Sequence, residues 1–214
     1  MSARAAFPGG VYAITPDTAD TGHLLTQVES ALAGGVAAVQ YRDKSGDVAR
    51  RHEQASELVA LCRQYGVPLI VNDDLRLADL VDADGVHLGR DDGSLTAARL
   101  ILGPEKFIGA SCYQSLDLAR AAQAAGADYV AFGSFFASPT KPAAPRASLD
   151  LLREAAPAIH VPVVAIGGIT LANAPQLIDA GADAIAVLSA LFDAPDIRAA
   201  ARALNQLFET ESEQ

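Results

Sequence analysis

Ala125-Gly-Ala-Asp128-Tyr129-Val-Ala-Phe132 and Ala180-Gly-Ala-Asp183-Ala184-Ile-Ala-Val187 are two copies of one pattern, a helix-closing glycine followed at once by a short apolar run. Gly34-Gly35 ahead of Val36-Ala-Ala-Val39, and Gly66 ahead of Pro68-Leu-Ile-Val71, punctuate the chain in the same way, as glycines in the left-handed conformation do after a helix. Outward from these, further strand-like runs lie at Val11-Tyr-Ala-Ile14, Gly85-Val-His-Leu88, Phe107-Ile-Gly-Ala110 and Val163-Val-Ala-Ile166. Segments of helical spacing separate them, among them Leu24, Leu25, Val28 and Leu32, or Leu116, Ala119 and Ala122. Short apolar strands alternating with amphipathic helices predict a parallel sheet covered on both faces. Eight such units within 214 residues predict an α/β fold, a single (β/α)8 TIM barrel. An open doubly wound sheet fits less well, because no G-x-G-x-x-G follows the first strand.

No Pro/Ser-rich linker divides the chain, so residues 1–214 read as one domain, with an acidic tail from about Glu209 that looks loose. Hydrophobic residues make up 50% of it, enough for a sizeable core, yet no apolar run nears the roughly 20 residues of a membrane span. Neither a membrane partner nor a secretory leader is expected. A formal charge of −10 argues against nucleic acid as a partner, although a local cationic cluster can still collect a small anion. Cys62 and Cys112 suit a reducing compartment better than a disulfide framework, so the expectation is a cytoplasmic protein. Association into a homo-oligomer is compatible with this reading.

In such a barrel the chemistry sits on the loops that follow the strands. After the second strand comes Gln40-Tyr41-Arg42-Asp43-Lys44, where alternation puts Gln40, Arg42 and Lys44 on one face. Three polar or cationic groups aimed together make a diphosphate clamp; a solvated strand end with incidental ion pairs is the plainer reading. Asn72-Asp73-Asp74 follows the third strand and Gly89-Arg-Asp91-Asp92 the fourth. Carboxylates at neighbouring strand ends can share Mg2+, while one of each pair, Asp74 and Asp91, is expected to cap a helix. The long loop Gly133–Pro145 carries hydroxyls and a lysine, which suits a lid over an anion as well as it suits a plain surface loop. Gly167-Gly168 after the seventh strand, and Leu188-Ser189 after the eighth, occupy the usual phosphate position of the fold. His87 reads as a satisfied core histidine and Cys112 as a packed thiol. No Ser-His-Asp set or zinc spacing is present.

Taken in order, Gln40-Tyr-Arg-Asp-Lys44, Asn72-Asp73, Gly85-Val-His-Leu-Gly-Arg-Asp-Asp92, Pro139-Thr-Lys141 and Ile166-Gly-Gly-Ile169 resemble thiamine-phosphate synthases from about Val11 to Leu191. The resemblance implies a transferase of thiamine biosynthesis. It would join 4-amino-2-methyl-5-pyrimidinylmethyl diphosphate to 4-methyl-5-(2-phosphoethyl)thiazole, releasing pyrophosphate by dissociative loss of the diphosphate. It implies substrate contacts across the Gln40–Lys44 run, Tyr41 and Asp43 included, and across Ser138-Pro139-Thr140-Lys141. Gln40, Arg42, Lys44, Asn72, Ser111 and Lys141 would hold the pyrimidine diphosphate, and Arg42, Lys44 and Lys141 would act on the leaving group. Ser138, Thr140, Gly168, Leu188 and Ser189 would take the thiazole phosphate, and Asp73 and Asp92 would bind Mg2+ as cofactor.

The chain departs from the family's common residues at Ala137, Ser138 and Arg90, where Pro, Thr and Gln are usual. Two rivals share the resemblance: a thiazole tautomerase on the same barrel, and a non-catalytic barrel that only binds a thiamine precursor. The tautomerase expels no diphosphate, so it has no need of Arg42, Lys44, Asp73, Asp92 and Lys141 together.

Overall fold

The computed structural model describes residues 6–137 and 145–209. Eight parallel strands close on themselves in chain order, β1 pairing with both β2 and β8. They are β1 (Gly10–Ile14), β2 (Ala38–Tyr41), β3 (Leu69–Asn72), β4 (Gly85–Leu88), β5 (Phe107–Tyr113), β6 (Tyr129–Gly133), β7 (Val163–Ile166) and β8 (Ala184–Val187). Between them run α1 (Thr21–Ala33), α2 (Val48–Tyr65), α3 (Leu75–Leu80), α4 (Leu95–Leu102), α5 (Leu116–Ala124), α6 (Leu149–Ala155) and α7 (Pro175–Ile178). The short α8 (Ser189–Phe192) and α9 (Ile197–Glu209) follow β8. The expected (β/α)8 barrel is therefore the observed one. Glu209 still belongs to α9, and the rest of the tail lies outside the described residues. No helix among the described residues is long and apolar enough to cross a membrane.

The repeated Ala-Gly-Ala-Asp has a physical role at the N-terminal end of the barrel. Its glycines, Gly126 and Gly181, take φ of 89° and 103°, which side chains resist. Its aspartates then clamp neighbouring strands: Asp128 accepts from the Ile108 N–H at 2.6 Å and Asp183 from the Val163 N–H at 2.7 Å. Asp84 does the same for the Leu69 N–H at 2.9 Å. At the opposite end, Asp20, Asp47, Asp74, Ser94, Ser115 and Ser148 each cap a helix N-terminus. Asp74 is thus the cap it was expected to be. Asp91 is not, because α4 begins only at Leu95 and the cap passes to Ser94, whose hydroxyl reaches the Ala97 N–H.

Strand alternation makes two cores. Outward residues such as Val11, Ala13, Val39 and Val71 pack under the helices. Inward residues, among them Tyr12, Ile14, Ile70, Tyr129 and Val164, fill the barrel. Phe7, just before β1, plugs this interior: it is 2% exposed and stacks on Tyr129 with ring centroids 3.9 Å apart. The Tyr129 ring fits because β5 offers Gly109 beside it, where an added Cβ would lie 2.0 Å from the ring.

Candidate functional site

The C-terminal ends of β2, β3 and β4 frame an open cavity of about 590 Å3, lined among others by Lys44, Asn72, Asp73 and Asp92. β2 is held to β1 there by Thr15, whose hydroxyl receives the Arg42 N–H at 2.9 Å. Beyond that pin, Arg42 donates to Asp17 through Nη1 at 2.9 Å, and the same carboxylate accepts the Lys44 backbone N–H at 3.1 Å. Asp17 therefore aims the Arg42 guanidinium and fixes the Lys44 backbone, a role for which its position after β1 in the sequence gives no specific sign. Gln40 points into the barrel and donates to the Tyr12 hydroxyl at 2.9 Å, 4% exposed.

Of these three side chains Lys44 lines the cavity, while the intervening pair reaches toward α2. Tyr41 donates to Gln54 on α2 at 2.9 Å and is 2% exposed. The Asp43 carboxylate is gripped by Arg50 at 3.0 Å and by the Ser45 N–H at 2.6 Å. Both side chains tie the β2 loop to α2. Asp43 nevertheless lines the cavity beside Lys44, whereas Tyr41 lies beneath it against α2.

The carboxylates of β3 and β4 meet as expected. Lys44 Nζ ion-pairs with Asp73, and the Asp73 and Asp92 carboxylates are close enough to perturb each other's ionisation. Burial raises the Asp73 pKa, but Lys44 and the neighbouring Asp92 outweigh it and hold the group below its ordinary value. Asp92 goes the other way, pushed up by desolvation and by the Asp73 carboxylate, although the Gly89 N–H donates to it at 2.9 Å. Two carboxylates this close repel when both are ionised, and a divalent cation would relieve that. Asp73 also holds φ at 63°, a left-handed conformation uncommon outside glycine. Among the described residues no three His, Cys, Asp or Glu side chains gather into a complete metal cage. A carboxylate pair suits Mg2+, which commonly keeps waters and takes phosphate oxygens for its remaining positions.

Deeper in the barrel, His87 bonds Tyr129 Oη through Nδ1 at 3.0 Å and Ser111 Oγ through Nε2 at 2.8 Å. It is the satisfied core histidine expected, and burial draws its pKa down to about 4, with Asp73 opposing. The unfolded imidazole titrates near 6.5. Stability from this neutral group is therefore present above about pH 6.5 and lost as pH falls toward 4. Over that interval the unfolding free energy should fall by about 3 kcal/mol more in the native sequence than in His87→Gln. Denaturant unfolding at stepped pH reads this directly; equal slopes for the two proteins would contradict it. Cys112 is a packed thiol, 1% exposed, and burial pushes its pKa up to about 12.

Across the mouth, Gly167 and Gly168 have φ of 107° and 64°. A Cβ on Gly168 would come within 2.3 Å of the Ala137 carbonyl, so these glycines admit the crossing segment after β6 as well as baring backbone. Leu188 and Ser189, both half-buried, start α8 beside them. Gln114 ties the two ends of the loop after β6, donating to the Gly133 and Pro145 carbonyls at 2.5 and 3.0 Å. Ser138, Pro139, Thr140 and Lys141 lie outside the described residues. Arg90, the departure beside Asp92, lies over the Tyr113 ring with its guanidinium carbon 5.1 Å from the ring centre, a cation–π contact.

The family model for thiamine monophosphate synthase matches residues 11–191. The chain belongs to this family. It is 76% identical over 208 residues to the thiamine-phosphate synthase of Thiobacillus denitrificans, covering 97% of this chain and 99% of that one. The thiamine-phosphate synthase of Methylobacillus flagellatus is 57% identical, with 93% and 95% covered. Among solved structures, thiamine phosphate pyrophosphorylase from Pyrococcus furiosus superposes with a TM-score of 0.83 at 37% identity, covering 94% of this chain and 96% of that one. The family likeness read from the five motifs is thus met, and a thiamine monophosphate synthase family barrel is what those motifs build.

Proposed function

We propose that this protein couples 4-amino-2-methyl-5-pyrimidinylmethyl diphosphate to 4-methyl-5-(2-phosphoethyl)thiazole, yielding thiamine phosphate and pyrophosphate. The observation that carries the reading is the gathering of Lys44, Asn72, Asp73 and Asp92 around one cavity, with Arg42 and the Lys44 backbone both on Asp17, in a chain of this family. An acidic protein that gathers cations at the mouth of its cavity is suited to collecting an anion there. Arg42, held by Asp17, and Lys44, resting on Asp73, would stabilise charge that grows on a departing diphosphate. Asp73 and Asp92 would hold Mg2+, which would supply further charge neutralisation at the same oxygens. Gln40 and Ser111 would seat the pyrimidine, with Asn72 at the edge of the diphosphate.

Gly168, Leu188 and Ser189 would receive the thiazole phosphate through backbone and hydroxyl donors. By family likeness Ser138 and Thr140 join that phosphate, and Lys141 joins the diphosphate. The reaction needs no protein nucleophile: the aminopyrimidine delocalises the cation left behind, and the thiazole nitrogen captures it. What the residues supply is leaving-group stabilisation, orientation and exclusion of water. A cytoplasmic setting is in keeping with two buried, unbridged cysteines.

Excess chelator should abolish coupling in the purified protein, and Mg2+ added beyond the chelator should restore it. Full activity in chelator would remove Asp73 and Asp92 from metal binding.

A further inference from the structure

An unbroken chain of hydrogen bonds crosses the barrel interior between two residues assigned to the pyrimidine diphosphate. Gln40 Nε2 donates to Tyr12 Oη at 2.9 Å, and Tyr12 Oη lies 2.9 Å from Tyr129 Oη. Tyr129 Oη lies 3.0 Å from His87 Nδ1, and His87 Nε2 lies 2.8 Å from Ser111 Oγ. Tyr12, Gln40, Tyr129 and His87 are each less than 9% exposed, which leaves water little access to the links.

The donor inventory gives this chain a direction. An amide N–H2 cannot accept, so Tyr12 receives from Gln40 and must send its own proton to Tyr129. Tyr129 then sends its proton to the only neighbour left in the chain, His87 Nδ1. That nitrogen is consequently the unprotonated one, and the proton of the neutral ring sits on Nε2, facing Ser111. Ser111 Oγ accepts it and keeps its own hydrogen for something outside the chain. The reverse direction, with this Gln40 orientation, would strand the Tyr12 proton in the core without an acceptor, an arrangement that buried hydroxyls avoid.

We propose that Tyr12, Tyr129 and His87 are positioning residues that polarise this chain from Gln40 to Ser111, so that Ser111 meets the ligand as a hydrogen-bond donor and Gln40 meets it with its carbonyl oxygen as an acceptor. The proposal rests on the reading of this mouth as the seat of the pyrimidine diphosphate. It names what that ligand must offer: an N–H toward Gln40 and a lone pair toward Ser111. An aminopyrimidine carries both. The network also couples the two contacts, because the amide of Gln40 cannot turn over without reversing every proton up to Ser111.

Nitrogen-15 spectra of histidine-labelled, ligand-free protein read the polarity. The chain holds four histidines, and the His87 signals are those missing from His87→Gln. The expected result is an Nε2–H tautomer with Nδ1 unprotonated; an Nδ1–H tautomer or a doubly protonated ring would overturn the proposal. In kinetics, Tyr129→Phe and Ser111→Ala should each lower kcat/KM for the pyrimidine diphosphate by roughly 3- to 10-fold, as loss of one hydrogen bond does. The KM for the thiazole phosphate should stay unchanged. The double variant should lose less than the product of the two single losses, because part of the Tyr129 effect passes through Ser111; fully multiplied losses would overturn the relay.

If Tyr129→Phe does not fold, a second pair of variants decides. His87→Gln keeps an N–H to offer Ser111 and should retain more activity than His87→Phe; equal losses would overturn the assignment. If the native protein fails to couple the two substrates at all, the reading of the mouth fails, while the tautomer still decides the relay.

Discussion

Replacing Lys44 by Ala should lower kcat by about 10²–10³, as removal of a preorganised charge-stabilising donor does. The ammonium already rests on Asp73 at the rim of the cavity, and its backbone is fixed by Asp17. It is therefore in position before ligand arrives, and its contribution should grow as charge moves onto the departing diphosphate. The loss should appear in kcat more than in the KM of either substrate. Stability should hardly change, because the side chain is 53% exposed and contributes nothing to the core. Steady-state kinetics with each substrate varied in turn, alongside a thermal melt, checks both halves. A thermal midpoint lower by more than about 10 °C would make Lys44 a structural residue instead.

Phe7→Ala should lower the unfolding free energy by about 3–5 kcal/mol, the usual range for emptying a buried aromatic site. The ring stacks on Tyr129 and meets Tyr12 and Phe107 edge-on at 5.2 and 5.6 Å. Among the described residues these side chains pack on one another inside the barrel, so the cavity has little to collapse onto. In a chain of this length the melting temperature should fall by on the order of 10 °C. Phe7→Leu should recover much of the loss. A change below about 1 kcal/mol for Phe7→Ala would mean that the segment before β1 does not anchor the barrel interior.

The fold was legible because a barrel repeats its grammar. Strands β4, β7 and β8 fall where the apolar runs placed them, and the glycine of each Ala-Gly-Ala-Asp takes the positive φ that the pattern requires. β2 begins two residues later than the apolar run from Val36 predicts. Val36 is apolar because it packs in the turn after α1, where its N–H returns to the Ala31 carbonyl, and hydrophobicity alone does not separate that role from a strand. β5 runs three residues past Ala110, through a register shift between Ser111 and Tyr113, since backbone pairing to β6 continues irrespective of side-chain polarity.

The site divides along the same line. Parity along β2 sets Gln40, Arg42 and Lys44 apart from Tyr41 and Asp43, which reach Gln54 and Arg50 on α2. Asp17 and Gln114 carry no sequence signal because their partners come from distant segments, Arg42 and Lys44 for one, Gly133 and Pro145 for the other. One carboxylate or amide in a loop carries no mark of its partner until the strands bring the two together.

The most direct test of the coupling reaction is a single incubation of the purified protein with both phosphorylated substrates and Mg2+, with thiamine phosphate and pyrophosphate both quantified. Equal amounts of the two products, and neither when the thiazole phosphate is withheld, are expected. Pyrophosphate without thiamine phosphate, or neither product from the complete mixture, would contradict the proposed coupling.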